Sequence, residues 1–200
     1  MLHRDAVEQD LREAMANDDW EAVERIMVVL DGLPVRPSAS LAGAALWYAE
    51  QGFRVFPISP GTKVPYKGSG GCKDGTSDMD RVAAWWKADP RANIGIATGH
   101  LVDVVDFDGV RGHEAWAELW RDHPDDGLTP GVPLLATVST PRPGGLHAYV
   151  RATGQGNGAS MVPGVDYRGA GGYVLAPPSR TGQGTYEFLR PFQPGLTPWS

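Results

Sequence analysis

Cysteine is almost absent from this sequence, since Cys72 is the only one among 200 residues. A single thiol excludes a disulfide within the chain, and it also excludes a zinc site of the Cys-x-x-Cys type. We therefore expect no zinc. The scarcity of thiols fits a reducing cytosol.

Long apolar runs are also missing. No stretch reaches the roughly 18 apolar residues that a membrane-spanning helix needs. The N-terminal stretch MLHRDAVEQDLREAM is too acidic for a signal or transit peptide. We therefore expect a cytoplasmic protein with no membrane partner. The pattern G-x-x-x-x-G-K-[ST] is absent too, which excludes P-loop phosphate chemistry.

The net charge of −6 lies entirely in the N-terminal part of the chain. Residues 1–31 hold 3 basic and 9 acidic residues, whereas the remaining 169 residues hold 15 of each sign. A neutral main body permits a polyanionic ligand without demanding one. The helical apolar spacing over 4–31, followed by the breaker-rich GLPVRPSAS, predicts an appendage and linker over 1–37 and a main domain over 38–200.

The main domain begins with helix-like and strand-like segments in alternation, and it ends with a series of short apolar strands. Its 26 glycines and 17 prolines indicate many turns. This order predicts a mixed α/β or α+β fold in which helices flank one sheet.

The segment LVDVVDFDG, residues 101–109, predicts a buried strand that carries three aspartates. Alternation along a strand places Asp106 and Asp108 on one face and Asp103 on the other. Carboxylates two residues apart stand about 6–7 Å from each other. They can converge on one divalent cation, or on two held about 4 Å apart. The alternative is a strand that simply runs into an Asp-Gly turn.

The segment STPRPGGLHAYV places Arg142 on a Pro/Gly turn and His147 inside the returning strand. A histidine beside small glycines can bind a phosphate oxygen, ligate a metal or transfer a proton. A hydrogen-bonded core histidine is the more common alternative.

The segment GVDYRGAGGYVLAPPS places Asp166 and Arg168 on one face of a short strand. The pair is either a surface ion pair or, near the other two carboxylates, part of an oxygen-rich site for Mg²⁺ or Mn²⁺. Arg168 would then offer a forked donor to a phosphate. Lys63, on the turn SPGTKVP, is the fourth candidate, although most such lysines are merely solvated.

Taken together, five segments in order resemble the bifunctional DNA primase/polymerase domain of the archaeo-eukaryotic primase superfamily. The resemblance covers residues 42–187. It rests on GFRVFPISPGTKVP, W…DPRANIGIATG, VVDFDG, TPRPGGLHAYV and VDYRGAGGYVLAPPS. It implies a catalytic core with a mixed, largely antiparallel sheet, an RRM-like portion and flanking helices.

The resemblance also implies roles for individual residues. Asp106, Asp108 and Asp166 match the family's metal-binding acidic positions, so two divalent ions, Mg²⁺ or Mn²⁺, are the expected cofactors. His147 matches the histidine that contacts the nucleotide's phosphates and joins the catalytic set. The expected nucleotide-binding residues are His147, Arg142, Arg168, Lys63 and Ser139.

The implied function is template-dependent synthesis and extension of primers by two-metal catalysis. The expected partners are a single-stranded DNA template, a primer and deoxy- or ribonucleoside triphosphates, and the resemblance allows a fused or separate helicase. Replication of a phage, plasmid or other mobile element in a bacterial cytoplasm is the implied setting. Two alternatives remain: an inactive module that binds single-stranded nucleic acid or nucleotides and, less favoured, a metal-dependent nuclease.

Overall fold

The computed structural model describes residues 4–31, 37–122, 127–129 and 132–192. The N-terminal appendage consists of two helices, α1 (Arg4–Ala16) and α2 (Trp20–Asp31), as the apolar spacing predicts. The Asp19 carboxylate caps α2 by accepting a hydrogen bond from the Ala22 amide at 3.0 Å. Residues 32–36 of the predicted linker lie outside the described residues.

Three further helices belong to the main domain: α3 (Leu41–Glu50), α4 (Met79–Ala88) and α5 (Gly109–Asp122). The side chain of Ser40 caps α3, and that of Asp78 caps α4. A short 3₁₀ helix spans Gly71–Asp74. No helix in the described ranges is both long and apolar enough to cross a bilayer.

Antiparallel pairing joins all the named strands to their neighbours. The strands are β1 (Val55–Ile58), β2 (Asn93–Ala97), β3 (Val102–Phe107), β4 (Gly127–Thr129), β5 (Val132–Pro133), β6 (Ala136–Ser139), β7 (Leu146–Arg151), β8 (Gly158–Val162), β9 (Val165–Arg168), β10 (Tyr173–Ala176), β11 (Arg180–Thr181), β12 (Gly184–Thr185) and β13 (Glu187–Arg190). The α+β class and the largely antiparallel pairing expected from the sequence are confirmed.

The strands form two main sheets, so the prediction of a single sheet was wrong. One sheet has six strands in the order β13-β6-β7-β3-β9-β8, and the other has three in the order β1-β2-β10. The consecutive strands β2 and β3 therefore belong to different sheets. Gly99 lies between them at φ +87°, and a Cβ there would lie 2.3 Å from the Ala170 Cα. The chain can change sheets here because glycine permits both the conformation and the close approach.

Two apolar clusters lie on the two faces of the six-stranded sheet. The larger cluster contains Val102 and Val104 of β3 together with buried residues of α3, α4 and the three-stranded sheet. The smaller cluster contains Phe107, with Val105 packed against it. The alternation along β3 is therefore the predicted one. It leaves Asp106 on the face of the larger cluster, at the strand end where the apolar packing stops.

Candidate active site

The three adjacent strands β7, β3 and β9 bring the predicted residues into register. On β3, Asp106 lies directly opposite His147 of β7 on one side and Asp166 of β9 on the other. Directly opposed residues in a sheet point to the same face. Asp106 is therefore the centre of the site, and side chains more than 40 residues away in sequence flank it.

Arg168 links two of the aspartates. Its Nη2 donates to Asp166 Oδ2 at 2.8 Å and to Asp106 Oδ2 at 3.2 Å. The Arg168 and Asp166 side chains are about one-quarter exposed, and that of Asp106 is 13% exposed. This is a partly desolvated ion-pair network rather than an isolated surface pair, so its electrostatic attraction exceeds that of a solvated contact.

Burial raises the pKa of the Asp106 carboxyl, while the positive charge of Arg168 opposes that rise. Water is a better solvent for a carboxylate than the protein interior, so a buried carboxylate needs compensating positive charge. The direction of the pKa shift shows that Arg168 compensates only part of the desolvation. Additional positive charge at this place would stabilise the ionised form of Asp106.

His147 is buried beside Asp106, with Nε2 at 3.5 Å from Asp106 Oδ1. Burial, reinforced by the positive charge of Lys63, lowers the pKa of His147 to about 3. The imidazole is therefore neutral at pH 7, and its contact with Asp106 is not an ion pair. Its Nδ1 and the hydroxyl of Tyr149 are both buried without a hydrogen-bond partner among the described residues.

Asp108 lies just beyond the end of β3. Arg142, on the turn between β6 and β7, holds it with Nη1 at 3.0 Å from Asp108 Oδ1. The arginine side chain is half exposed and the carboxylate one-third exposed. The third carboxylate of the predicted trio thus has a separate guanidinium partner and stands at the rim of the site.

A cavity of about 280 Å³ opens onto this cluster. Five of the eight predicted site residues line it directly, and Asp166 borders it through Arg168. Several lining residues were not predicted from the sequence: Asn157 and Tyr186 belong to no recognisable motif, and Gly171 lies in a quoted segment whose glycines were given no role. The lining consists of Lys63, Asp106, Asp108, His147, Asn157, Arg168, Gly171, Gly172, Tyr173, Val174, Leu175 and Tyr186.

Tyr186 forms part of the wall opposite the strands. It is 2% exposed, and its ring centroid lies 5.6 Å from that of His147. The Nζ of Lys63 lies 6.0 Å from the centroid of the same ring. An aromatic ring thus lies between the histidine and the lysine, and the lysine ammonium stays near the cavity.

Ser139 is not brought into this cavity. It pairs with Leu146 in the β6–β7 ladder, one residue out of phase with His147, so its side chain is on the opposite sheet face. Its hydroxyl donates to the carbonyl of Glu187 at 3.2 Å. Ser139 lines a second cavity, which it shares with Arg142.

Asp103 is fully buried on the other face of β3, away from the site. Its Oδ2 accepts hydrogen bonds from the amide and the hydroxyl of Thr153, at 2.7 and 2.9 Å, and from the hydroxyl of Tyr167. The structure therefore gives Asp103 a structural role. Three donors for one carboxylate tie β3 to β9 and to the end of β7.

The described residues contain no group of three or more His, Cys, Asp or Glu side chains that is arranged to hold a metal ion. The carboxylates are instead turned toward arginines. The donor chemistry nevertheless fits a hard divalent cation, because carboxylate oxygens are the preferred ligands of Mg²⁺ and Mn²⁺. The raised pKa of Asp106 also favours a bound cation, because Arg168 does not offset the whole cost of burying this carboxylate.

A family model described as "Bifunctional DNA primase/polymerase, N-terminal" matches residues 45–198. The chain belongs to this family. The resemblance seen in the sequence is thereby confirmed. No curated protein matches the chain. Membership in the bifunctional DNA primase/polymerase family assigns a primase/polymerase type of nucleotidyl transfer at the family level, with nucleotides and DNA as the substrate classes.

Proposed function

We propose that this chain synthesises primers on single-stranded DNA and extends them by two-metal nucleotidyl transfer. One observation carries the proposal: Asp106, Asp166 and His147 meet in register on three adjacent strands. Asp106 and His147 line a cavity together with Lys63 and Arg168. Carboxylates and cationic side chains that meet at one cavity suit the transfer of a phosphoryl group.

The cations of the cavity bind the triphosphate in this proposal. Arg168 has a planar fork that can leave a carboxylate for a phosphate, which has similar geometry. Lys63 supplies a mobile point charge from an exposed turn. The neutral His147 donates or accepts one hydrogen bond without adding charge, so it orients a phosphate oxygen while the cations neutralise it.

The aspartates hold the metals. Two divalent ions, Mg²⁺ or Mn²⁺, bound by Asp106, Asp108 and Asp166 would lower the pKa of the attacking 3′-hydroxyl and neutralise the departing pyrophosphate. Without the ions, Arg168 pairs with Asp166 and Arg142 pairs with Asp108. Each arginine is then available to the nucleotide when its carboxylate takes another cation.

The setting of the reaction stays a prediction. We place it in the replication of a phage, plasmid or other mobile element in a bacterial cytoplasm, with a helicase as a further partner. We propose residues 38–200 as the catalytic domain and residues 1–37 as an appendage with its linker. The family match begins at residue 45 and supports this boundary.

The test compares the wild-type protein with the double variant Asp106→Asn/Asp108→Asn. Each receives a single-stranded template with or without an annealed primer, nucleoside triphosphates, and Mg²⁺ or Mn²⁺, and product length is read on gels. The matched control is Asp80→Asn, the same change at an exposed residue of α4 that lines neither cavity. We expect extension by the wild type and the control, and a loss of at least about 10³-fold in the double variant.

The two other functions give different results. A nuclease would shorten the primer without nucleoside triphosphates, whereas a polymerase lengthens it only when they are present. The inactive binding module is favoured by one observation, the pairing of all three carboxylates with arginines. A folded wild type that binds template yet extends nothing with either metal would refute the proposal and favour that module.

A further inference from the structure

His147 and Tyr149 carry two buried polar atoms that the proposed function does not use. The residues lie two positions apart on β7, so both side chains are on the same face of the sheet. Tyr149 is 1% exposed and His147 is 5% exposed. The Nδ1 of His147 and the hydroxyl of Tyr149 have no hydrogen-bond partner among the described residues. Leaving a buried polar atom unpaired costs free energy, so each of these atoms points to a partner other than the protein.

The two rings are close enough for one small molecule to reach both atoms. Their centroids lie 6.5 Å apart, and the ring planes are inclined by 59°. A water molecule joins partners that are about 5–6 Å apart, because each of its hydrogen bonds is about 2.7–3.0 Å long. Tyr149 belongs to the larger apolar cluster and is not among the residues that line the first cavity. A buried water is the partner that fits such a place, since it bonds polar groups that are otherwise unpaired.

The Tyr149 hydroxyl is able to donate toward the active site. Burial raises the pKa of Tyr149, and the neighbouring Tyr186 and Asp106 raise it further. The hydroxyl therefore keeps its proton at neutral pH and can donate a hydrogen bond. Because electrostatic interactions weaken with distance, the influence of Asp106 also indicates that this hydroxyl lies near the site.

The imidazole of His147 needs a hydrogen-bond donor at Nδ1. Its other nitrogen, Nε2, lies 3.5 Å from Asp106 Oδ1. An ionised carboxylate can only accept hydrogen bonds, so this contact favours a proton on Nε2. In the neutral ring, Nδ1 is then an acceptor. A water that accepts from Tyr149 and donates to Nδ1 pairs both buried atoms.

We propose that Tyr149 is a positioning residue, which holds the Nε2–H tautomer of His147 through one buried water. The Nε2–H group then donates to a phosphate oxygen of the nucleotide in the first cavity, which His147 lines. The opposite tautomer would turn the lone pair of Nε2 toward Asp106 and the phosphate, both of which are negatively charged. The nucleotide contact rests on the proposed function, whereas the water and the tautomer do not depend on it.

The first experiment compares the wild type with Tyr149→Phe, which removes only the hydroxyl. Nitrogen-15 NMR of protein labelled at the histidine rings, in metal-free buffer at neutral pH, shows which ring nitrogen carries the proton. The spectrum of His147→Gln, which lacks one of the five histidines, assigns the signals. We expect the Nε2–H tautomer in the wild type and a mixture of both tautomers in Tyr149→Phe. Identical tautomers in the two proteins would overturn the inference.

The matched control is Tyr48→Phe. Tyr48 is also 1% exposed and belongs to the same apolar cluster, but its hydroxyl donates to the carbonyl of Pro177 at 3.1 Å. This variant should lose stability and keep the wild-type tautomer of His147. An equal change of tautomer in Tyr48→Phe would mean that any loss of packing nearby disturbs the imidazole, which would contradict a specific role for Tyr149.

The direction of the stability change is the second readout. If nothing bonded the Tyr149 hydroxyl, its removal would leave the urea midpoint unchanged or raise it, because an unpaired buried group would be lost. If a water joins it to His147, its removal leaves Nδ1 without a donor, so the midpoint should fall. A high-resolution crystal structure of the wild type needs no variant, and it should show a water within hydrogen-bond distance of both atoms. A midpoint that does not fall, or a crystal structure without that water, would overturn the inference.

Primer extension tests whether Tyr149 acts through His147. In the wild-type background, Tyr149→Phe should lower kcat/KM for the nucleotide about fivefold; in His147→Gln it should cause no further loss, because effects that pass through one residue are not additive. Equal losses in the two backgrounds would mean that Tyr149 does not act through the imidazole. If the wild type extends no primer, the proposed function fails, while the NMR spectra and the urea midpoints still decide whether a water joins Tyr149 to His147.

Discussion

At the scale of single residues, Asp103 and Asp106 show how one strand gives the same side chain two environments. Asp103 is completely buried and accepts three hydrogen bonds, whereas Asp106 faces a cavity and is only partly compensated by Arg168. Hydrogen-bond donors surround the first carboxylate, whereas burial disfavours the ionised form of the second. The two residues should therefore respond oppositely to the same substitution.

We expect Asp103→Asn to lower the free energy of unfolding by about 1–3 kcal/mol, because an amide replaces a buried carboxylate that accepts three hydrogen bonds. Asp106→Asn should change the free energy of unfolding by no more than about 0.5 kcal/mol, or raise it, because an uncharged amide avoids the cost of burying a charge. Urea unfolding in metal-free buffer, followed by tryptophan fluorescence, measures both. Equal destabilisation by the two changes would contradict this assignment of roles.

His147 should make the stability depend on pH. Its pKa is lowered to about 3 in the folded chain, against about 6.5 when unfolded, so the unfolded state takes up the proton first as the pH falls. The neutral His147 therefore makes its full contribution to stability above pH 6.5. Below pH 6.5 the free energy of unfolding falls, by about 2 kcal/mol at pH 5.

Unfolding by urea at pH 7.5 and pH 5 measures this contribution. The loss of stability between the two pH values should be smaller in His147→Gln than in the wild type, in metal-free buffer. The exposed His113 provides the control, and His113→Gln should lose as much stability as the wild type. An identical loss in His147→Gln and the wild type would mean that the imidazole is not kept neutral.

At the scale of elements, β9 is positioned from both of its faces. Asp166 and Arg168 face the cavity, while Tyr167 on the other face donates to Asp103 of β3. The strand also pairs through its backbone with β3 and β8, so this side-chain contact adds to the pairing that places Asp166 opposite Asp106.

We expect Tyr167→Phe to lower the free energy of unfolding by about 1–2 kcal/mol, since a buried acceptor loses a donor. Hydrogen exchange of the β9 amides should become faster than that of the β7 amides. Tyr66→Phe is the control, because Tyr66 also donates to a carboxylate, Asp89, at 2.7 Å but lies away from β9. Unchanged exchange at β9 would show that backbone pairing alone holds the strand.

Strand faces and helix positions, which depend on local periodicity, were predicted well from the sequence. Alternation alone separates Asp106 from Asp103, and the helical apolar spacing over 4–31 correctly predicts the two helices of the appendage. The local pattern did not predict that β2 and β3 belong to different sheets, because strand pairing depends on contacts between residues that are far apart in the sequence. Tyr186 was missed for the same reason: its ring reaches His147 from a segment with no motif of its own.

At the scale of the whole molecule, the appendage differs from the main domain in packing and in charge. Among the side chains that the structure describes, no residue of α1 or α2 belongs to either apolar cluster of the main domain. Residues 1–31 also carry the entire net negative charge. Removing them leaves a neutral protein, which should bind DNA more readily because a source of long-range repulsion is gone.

We expect a chain of residues 38–200 to keep the urea midpoint of the full protein and its primer extension activity. Its affinity for single-stranded DNA should rise, by a factor that shrinks as salt is added, because salt screens the repulsion. Fluorescence anisotropy at two salt concentrations measures this. A large drop in the urea midpoint would instead make the appendage part of the folded core.

The single thiol of the chain lies next to a residue that lines the first cavity. Cys72 is half-buried, and its Sγ donates to the carbonyl of Gly171, one of the lining residues, at 3.4 Å. A maleimide dye would therefore attach at one position only, with no engineering of other cysteines. Its emission would report the arrival and departure of a nucleotide in real time, molecule by molecule.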